Sequence, residues 1–363
     1  MSAFPDGPIA ELGVYLLGGR VKDPARALDE VVEAEQLGLT SAWIAERFDM
    51  KELGVLCGAM AARTDRIKVG MGSVAAGSRN PMVTAAMGAT MQGLFGDRLL
   101  LGLARGLWGI NEHHGMHKPT MQGFEDYAAI LLRLWNGETV DYDGPAGHFG
   151  GMRMPDPPAS RPPIVLSSWA PGPKATALAA RLFDGVFMGC ELTVEATANI
   201  CGRLRRACED IGRDPASLTI YNTMMCSPDL SADEELAVMN ARMITHFSFP
   251  GIAALILREN GWDPAPMRRI LDDPMMLGDQ IADQKYTRDQ LLELGATIPR
   301  EWVETGCVVG SPAQCADRLR AYIDAGLDHL VLHGSSPGQL AGIVKLWRET
   351  APGASSPSAS SAR

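Results

Sequence analysis

Apolar residues along the chain fall into short unbroken runs, and stretches with helical spacing lie between the runs. Ile9 to Leu17 is the first run, and Gly18-Gly19 ends it. Asp23-Pro24 then opens a helix, with Asp as the cap and Pro at the first helical position. Ala27, Leu28, Val31, Val32 and Leu37 keep helical spacing, and Gly38 closes it. Ser41 to Ala45 is the next run, and it does not alternate with polar residues. Such runs suit a parallel sheet covered on both faces, so the unit is β-α-β.

The rhythm repeats. Runs at Ile67–Met71, Arg98–Leu103, Pro163–Ser168, Asp184–Met188, Leu218–Met225 and His329–Gly334 predict six more strands. Helical patterns at Glu52–Arg63, Pro81–Leu94, Met121–Trp135, Lys174–Leu182, Val194–Ile211 and Pro312–Ala325 separate most of them, and a last helix runs to about Thr350. Val140 to Met154 reads as a hairpin excursion. The order breaks over about 227–305, where helical patterns carry Pro and Gly interruptions and no clear strand. Eight strands, each followed by helix, predict a (β/α)8 TIM barrel with a helical insertion between strands 7 and 8. A doubly wound open sheet is the competing layout, but the first strand-helix junction lacks its usual GxGxxG turn. The expected organisation is one barrel domain over 1–350 and a low-complexity, disordered tail over 351–363.

Composition narrows the function. A chain of 363 residues that is 46% hydrophobic can bury a large core. A net charge of −10 without a basic block argues against nucleic acid and an anionic membrane surface as partners. No run approaches a membrane span, and the N-terminus does not read as a signal peptide. Seven cysteines without a CxxC pair suit reduced thiols in the cytoplasm, and Cys201 and Cys208 are placed to share one helix face.

Barrel active sites lie at the C-terminal strand ends. Strand 2 ends in Glu46-Arg47. Burial beside a ring would fit Glu46 for proton transfer, and Arg47 could oppose that or pair with it. Strand 3 ends in "GMGSVAAGSRNP", which gives way to Gly, Ser and Ala where a core strand usually carries bulk. Strand 5 leads to Pro171-Gly172-Pro173-Lys174 at a helix start, and strand 6 ends in Gly189-Cys190. Helix N-termini and glycines together suit an oxyanion. The segment "NEHHGMH" carries His113, His114 and His117; it has no HExxH, so a substrate loop is favoured over a metal site, and no metal is expected.

Three stretches, "SAWIAERFDMKELGVLCGAMAARTDRIKVGMG", "RNPMVTAAMGATMQGLFGDRLLLGLARG" and "GSPAQCADRLRAYIDAGLDHLVLHG", give the chain its resemblance to the luciferase-like monooxygenase superfamily, in particular its branch that uses the deazaflavin coenzyme F420. The resemblance covers roughly Ile9 to Thr350. It implies a tricyclic cofactor at the barrel mouth, with its phosphate around Ser168, Gly172, Gly189 and Cys190. It places Asn111 and the strand-4 end at Ala104 near the ring. It also implies a non-proline cis peptide at Gly72-Ser73, or at Ser73-Val74, as a backbone backstop for the ring. Arg79, Asn80 and Pro81 start the next helix close to the mouth, where Arg79 could meet the cofactor's anionic groups.

The resemblance departs at two places. Related sugar-phosphate dehydrogenases end strand 2 in Asp-His, whereas this chain has Glu46-Arg47, and Leu107 replaces an acidic residue after strand 4. The expectation is therefore an F420-dependent oxidoreductase, usually a homodimer, that moves a hydride to or from an apolar carbonyl, alcohol or enone. Glu46 would give or take the proton, with Arg47, His113 or His114 orienting the substrate. An FMN-dependent monooxygenase and a non-catalytic flavin-binding protein are the alternatives.

Overall fold

The computed structural model of the protein describes residues 7–16, 23–47, 51–106, 114–272 and 285–350, with backbone alone at 269 and 271. Eight parallel strands close into a barrel: β1 Ile9–Tyr15, β2 Leu39–Ile44, β3 Lys68–Ala75, β4 Leu99–Ala104, β7 Ile164–Ser167, β8 Gly185–Met188, β9 Thr219–Pro228 and β11 His329–His333. Closure is explicit in the pairing: β8 pairs with both β7 and β9, β9 with β11, and β11 with β1. The expected hairpin is β5 Val140–Gly144 with β6 Gly147–Met152, antiparallel and outside the barrel. A ninth strand, β10 Val308–Gly310, adds to the end of β9. The sequence gives no warning of it, because three residues are too few for a pattern.

Local chemistry sets the helix starts. The helix α1 Arg26–Gln36 begins two residues later than Asp23-Pro24 suggests, because the Asp23 carboxylate accepts the N–H of Ala25 and holds a turn ahead of it. Glu52 caps α2, Leu53–Ala62, by accepting the N–H of Val55. Asn80 caps α3, Pro81–Phe95, by accepting the N–H of Met82, and Pro81 occupies the first position.

The barrel interior is layered. At the bottom His329 bonds Ser41, 2.7 Å from Nε2 to Oγ, and its Nδ1 lies 2.9 Å from the Ala10 carbonyl. Trp43 Nε1 donates to the same hydroxyl at 3.0 Å. Above them Trp43, Leu100, Val165, Phe187, Tyr221 and Val331 form a buried cluster. Trp43 and Phe187 stack at 4.3 Å and 18°. Gly70 leaves room for the indole: a Cβ there would lie 2.1 Å from Trp43 Cδ2.

The insertion supplies helices Ala241–Phe247, Pro250–Asn260, Ala265–Leu271, Arg288–Gly295 and Arg300–Gly306 between β9 and β10. It has an apolar core of its own, including Met243, Phe247, Ile256 and Trp302, and Trp302 stacks on Trp262 at 4.8 Å. Cys190 and Met225 of the barrel belong to that core. The insertion therefore sits on the C-terminal ends of β8 and β9.

Candidate active site

Side chains alternate across a strand, so the next inward position above each residue of the Trp43 layer is two residues on. On β2, β3, β4, β7 and β8, which are consecutive neighbours, those positions are Ala45, Gly72, Gly102, Ser167 and Gly189. On β9, β11 and β1 the corresponding residues are Thr223 and Met225, His333, and Tyr15. One side of the mouth is thus paved with small residues and the other carries bulk. A Cβ on Gly72 would stand 3.3 Å from Phe187 and 3.4 Å from Trp43, so the paved side rests directly on the stacked pair.

The end of β3 is irregular as expected. Met71 pairs with Leu101 but Val74 pairs with Leu103, so one extra residue is accommodated between them. The Gly72-Ser73 peptide is cis, and Ser73-Val74 is not among the cis bonds. The loop after β4 crosses this end: a Cβ on Gly77 would lie 1.5 Å from the His117 carbonyl oxygen. His114 and His117 are exposed. Asn111 and His113 lie outside the described residues.

Glu46 has a partner the sequence did not suggest. Its side chain is 5% exposed; Oε2 accepts the N–H of Ala75 at 2.9 Å, and Oε1 pairs with Arg79. Arg79 also reaches Glu52 at 2.6 Å. Both Glu46 oxygens are therefore engaged, and the carboxylate ties β2 to the irregular end of β3. Burial pushes its pKa up, against the pull of Arg79 and the Ala75 N–H. Arg79, expected to meet the cofactor, lies between two carboxylates. Arg47, the expected partner of Glu46, is buried just past the end of β2, where its backbone carbonyl accepts the N–H of Lys51 at 2.9 Å.

The expected phosphate site is divided. Gly172 caps the helix Pro173–Leu182 without a side-chain cap, and a Cβ there would meet nothing within 4 Å. Lys174 is exposed in its first turn. Gly189 departs from the expectation of a free backbone donor: its N–H goes to the Trp169 carbonyl at 3.1 Å, and a Cβ would lie 2.1 Å from the Trp169 ring. The Ser168 N–H is likewise given to the Phe187 carbonyl at 3.0 Å.

Cys190 is buried beside Glu191 and His246, with one potential ligand atom of each within 4.8 Å of the others. His246 Nδ1 is 2.7 Å from Glu191 Oε1. Two ligands on one tetrahedral zinc, each bonded at about 2.0–2.1 Å, stand roughly 3.3 Å apart, so this contact is a direct hydrogen bond. Burial and then the Glu191 charge push the Cys190 thiol pKa well up.

Across the mouth, Tyr15 and His333 pack ring to ring at 4.5 Å. Burial raises the Tyr15 hydroxyl to about 12, against the lowering effect of Arg47 and Arg242. Burial, then Arg242, His246 and Arg47, push His333 well below the ordinary histidine range, so it is neutral. Sequence reading used His333 only to mark a strand end. The alternation His329-Val331-His333 would have placed all three inside.

This fold and mouth belong to a known class. The chain is a member of the luciferase-like monooxygenase family, whose profile matches residues 10–329. It is 26% identical over 260 residues to the F420-dependent glucose-6-phosphate dehydrogenase of Mycolicibacterium gilvum (strain PYR-GCK), covering 69% of this chain and 66% of that protein. Among solved structures it resembles the coenzyme F420 dependent tetrahydromethanopterin reductase from Methanopyrus kandleri, with a TM-score of 0.75 and 16% identity over 93% of this chain and 97% of that one. It also resembles an F420-dependent secondary alcohol dehydrogenase in complex with an F420–acetone adduct, with a TM-score of 0.70 and 16% identity over 96% and 99%.

Proposed function

We propose that the protein is an F420-dependent oxidoreductase that transfers a hydride between the deazaflavin and an apolar carbonyl, alcohol or enone. The observation that carries this reading is the paved side of the mouth: Ala45, Gly72, Gly102 and Ser167, contiguous around the barrel above the Trp43–Phe187 stack, with the Trp169 ring filling the space at Gly189. A flat ring needs such a floor. Gly72, Ser73 and Val74 would form its backstop and Ala104 its flank, with Glu46 and Arg79 holding that ridge through Ala75 rather than moving protons. The open helix start at Gly172, with Lys174 beside it, is the phosphate end of the site, since uncapped N–H groups attract an anion. Trp169 and Cys190 would close the side toward the insertion. When bound, the deazaflavin accepts or gives the hydride, and the chain's part is to hold ring and substrate together.

The homologues' names favour the coenzyme, and the F420–acetone adduct of one structural relative favours a carbonyl or alcohol. Homodimerisation is supported by α2 and α3. Neither carries a charged residue, and Val55, Val83 and Leu94 are 73%, 56% and 67% exposed on them. A helix apolar all round calls for cover. All seven cysteines are free and buried, which favours the cytoplasm.

The test is anaerobic oxidation of the reduced deazaflavin with acetone, cyclohexanone and cyclohex-2-en-1-one as probes. Coenzyme oxidation with at least one probe is expected. Coenzyme binding without any reaction would overturn the substrate class, and a protein that binds no deazaflavin would overturn the whole reading.

A further inference from the structure

His333 is a buried ring, 3% exposed, whose Nδ1 has no hydrogen-bond partner. An unmet buried nitrogen is costly, so a place where one is kept asks for a reason. The amide of Asn222 is orphaned too. It alternates with the inward-facing Tyr221 and so points at the surrounding helices. His333 faces inward, in register two positions above Val331 of the central cluster, and opposite the paved side.

Resting on the function proposed above, we propose that His333, backed by Tyr15, makes the hydrogen bond to the reacting oxygen of the substrate, which is a carbonyl in one direction and a secondary alcohol in the other. A substrate standing between the ring on the small residues and this pair has its carbon toward the coenzyme and its oxygen toward Nδ1. In the reducing direction the reduced deazaflavin gives a hydride, which forms the new C–H bond. The C=O π pair moves to oxygen, which takes one proton from solvent by way of the hydrogen bond. The coenzyme is left oxidised. Burial first, and then the positive charges of Arg242 and Arg47, keep His333 neutral, and those charges lower the energy of the negative charge growing on that oxygen. His246 is tied to Glu191, and the Tyr15 ring holds the imidazole plane.

His333→Phe keeps a ring against Tyr15 and removes both nitrogens. His333→Asn returns an amide near the position of Nδ1. With the three carbonyl probes, the Phe variant should lose about 10²-fold or more in kcat/KM and the Asn variant should recover about tenfold of it. Deazaflavin affinity should stay within about twofold in both, since only the reacting oxygen has lost its contact. A Phe variant that binds coenzyme and turns over at the wild-type rate would overturn the assignment and leave Nδ1 to an ordered water. A Phe variant that loses coenzyme binding as well would make His333 structural and overturn it too. If the wild type itself reduces none of the probes, the substrate class proposed above falls, and this assignment with it.

Discussion

Replacing His329 by Asn should flatten the pH dependence of stability. His329 donates Nδ1–H to the Ala10 carbonyl, so Nε2 accepts the Ser41 hydroxyl, which in turn accepts from Trp43. A second proton would sit on Nε2, in a buried site and against a hydroxyl that already points its hydrogen there. Burial lowers the pKa from 6.5 to about 4, against a raising pull from Ala10. The sign follows from the two states. Below pH 6.5 the unfolded chain takes a proton that the folded chain refuses, so this stability is full above 6.5 and is lost as pH falls toward 4. At about 1.36 kcal/mol per pH unit the ceiling is about 3 kcal/mol, and between about pH 7.5 and 5.5 the loss is about 1.4 kcal/mol. His333 titrates in the same direction and stays in the variant, so the difference between the two proteins isolates His329. Urea unfolding at the two pH values measures it. The variant should be less stable at the higher pH, and it should lose about 1.4 kcal/mol less than wild type on acidification. Equal losses in the two proteins would refute the argument.

Glu46→Gln should cost about 1–3 kcal/mol in urea unfolding, between the worth of an exposed pair and a broken buried one, because Arg79 keeps Glu52; an unchanged midpoint would show that the clamp on β3 is idle. Ser73→Leu places bulk on the paved side, beside Gly102, and should abolish deazaflavin binding while circular dichroism stays normal; normal binding would put the ring elsewhere. Val55→Asp with Leu94→Asp should turn a dimer into a monomer by light scattering, and a monomeric wild type would remove the need for the variant.

Much of the barrel was legible because both faces of its sheet are covered, which makes each strand a continuous apolar run. The helix starts at Asn80 and Gly172 were legible for a different reason, since capping chemistry is local. The cis bond at Gly72-Ser73 was reached through resemblance and not through any pattern. The partner of Glu46 was not legible: Arg79 is 33 positions away, and only the pairing of β2 with β3 brings them together. Gly189 misled for a related reason. A glycine at a strand end reads as room for a ligand, but here the room is filled by Trp169. His333 and Tyr15 were missed because the runs were read for their ends and not for their alternation, although β11 both begins and ends on a histidine of the same face.

The central claim is that the small-residue side of the mouth is built for a deazaflavin ring. Equilibrium fluorescence titration of the cofactor-free protein with coenzyme F420 and with FMN tests it most directly. The account predicts at least about tenfold tighter binding of the deazaflavin, about 1.4 kcal/mol, and loss of that binding in Ser73→Leu. Equal or reversed affinities, or full binding by the variant, would contradict it.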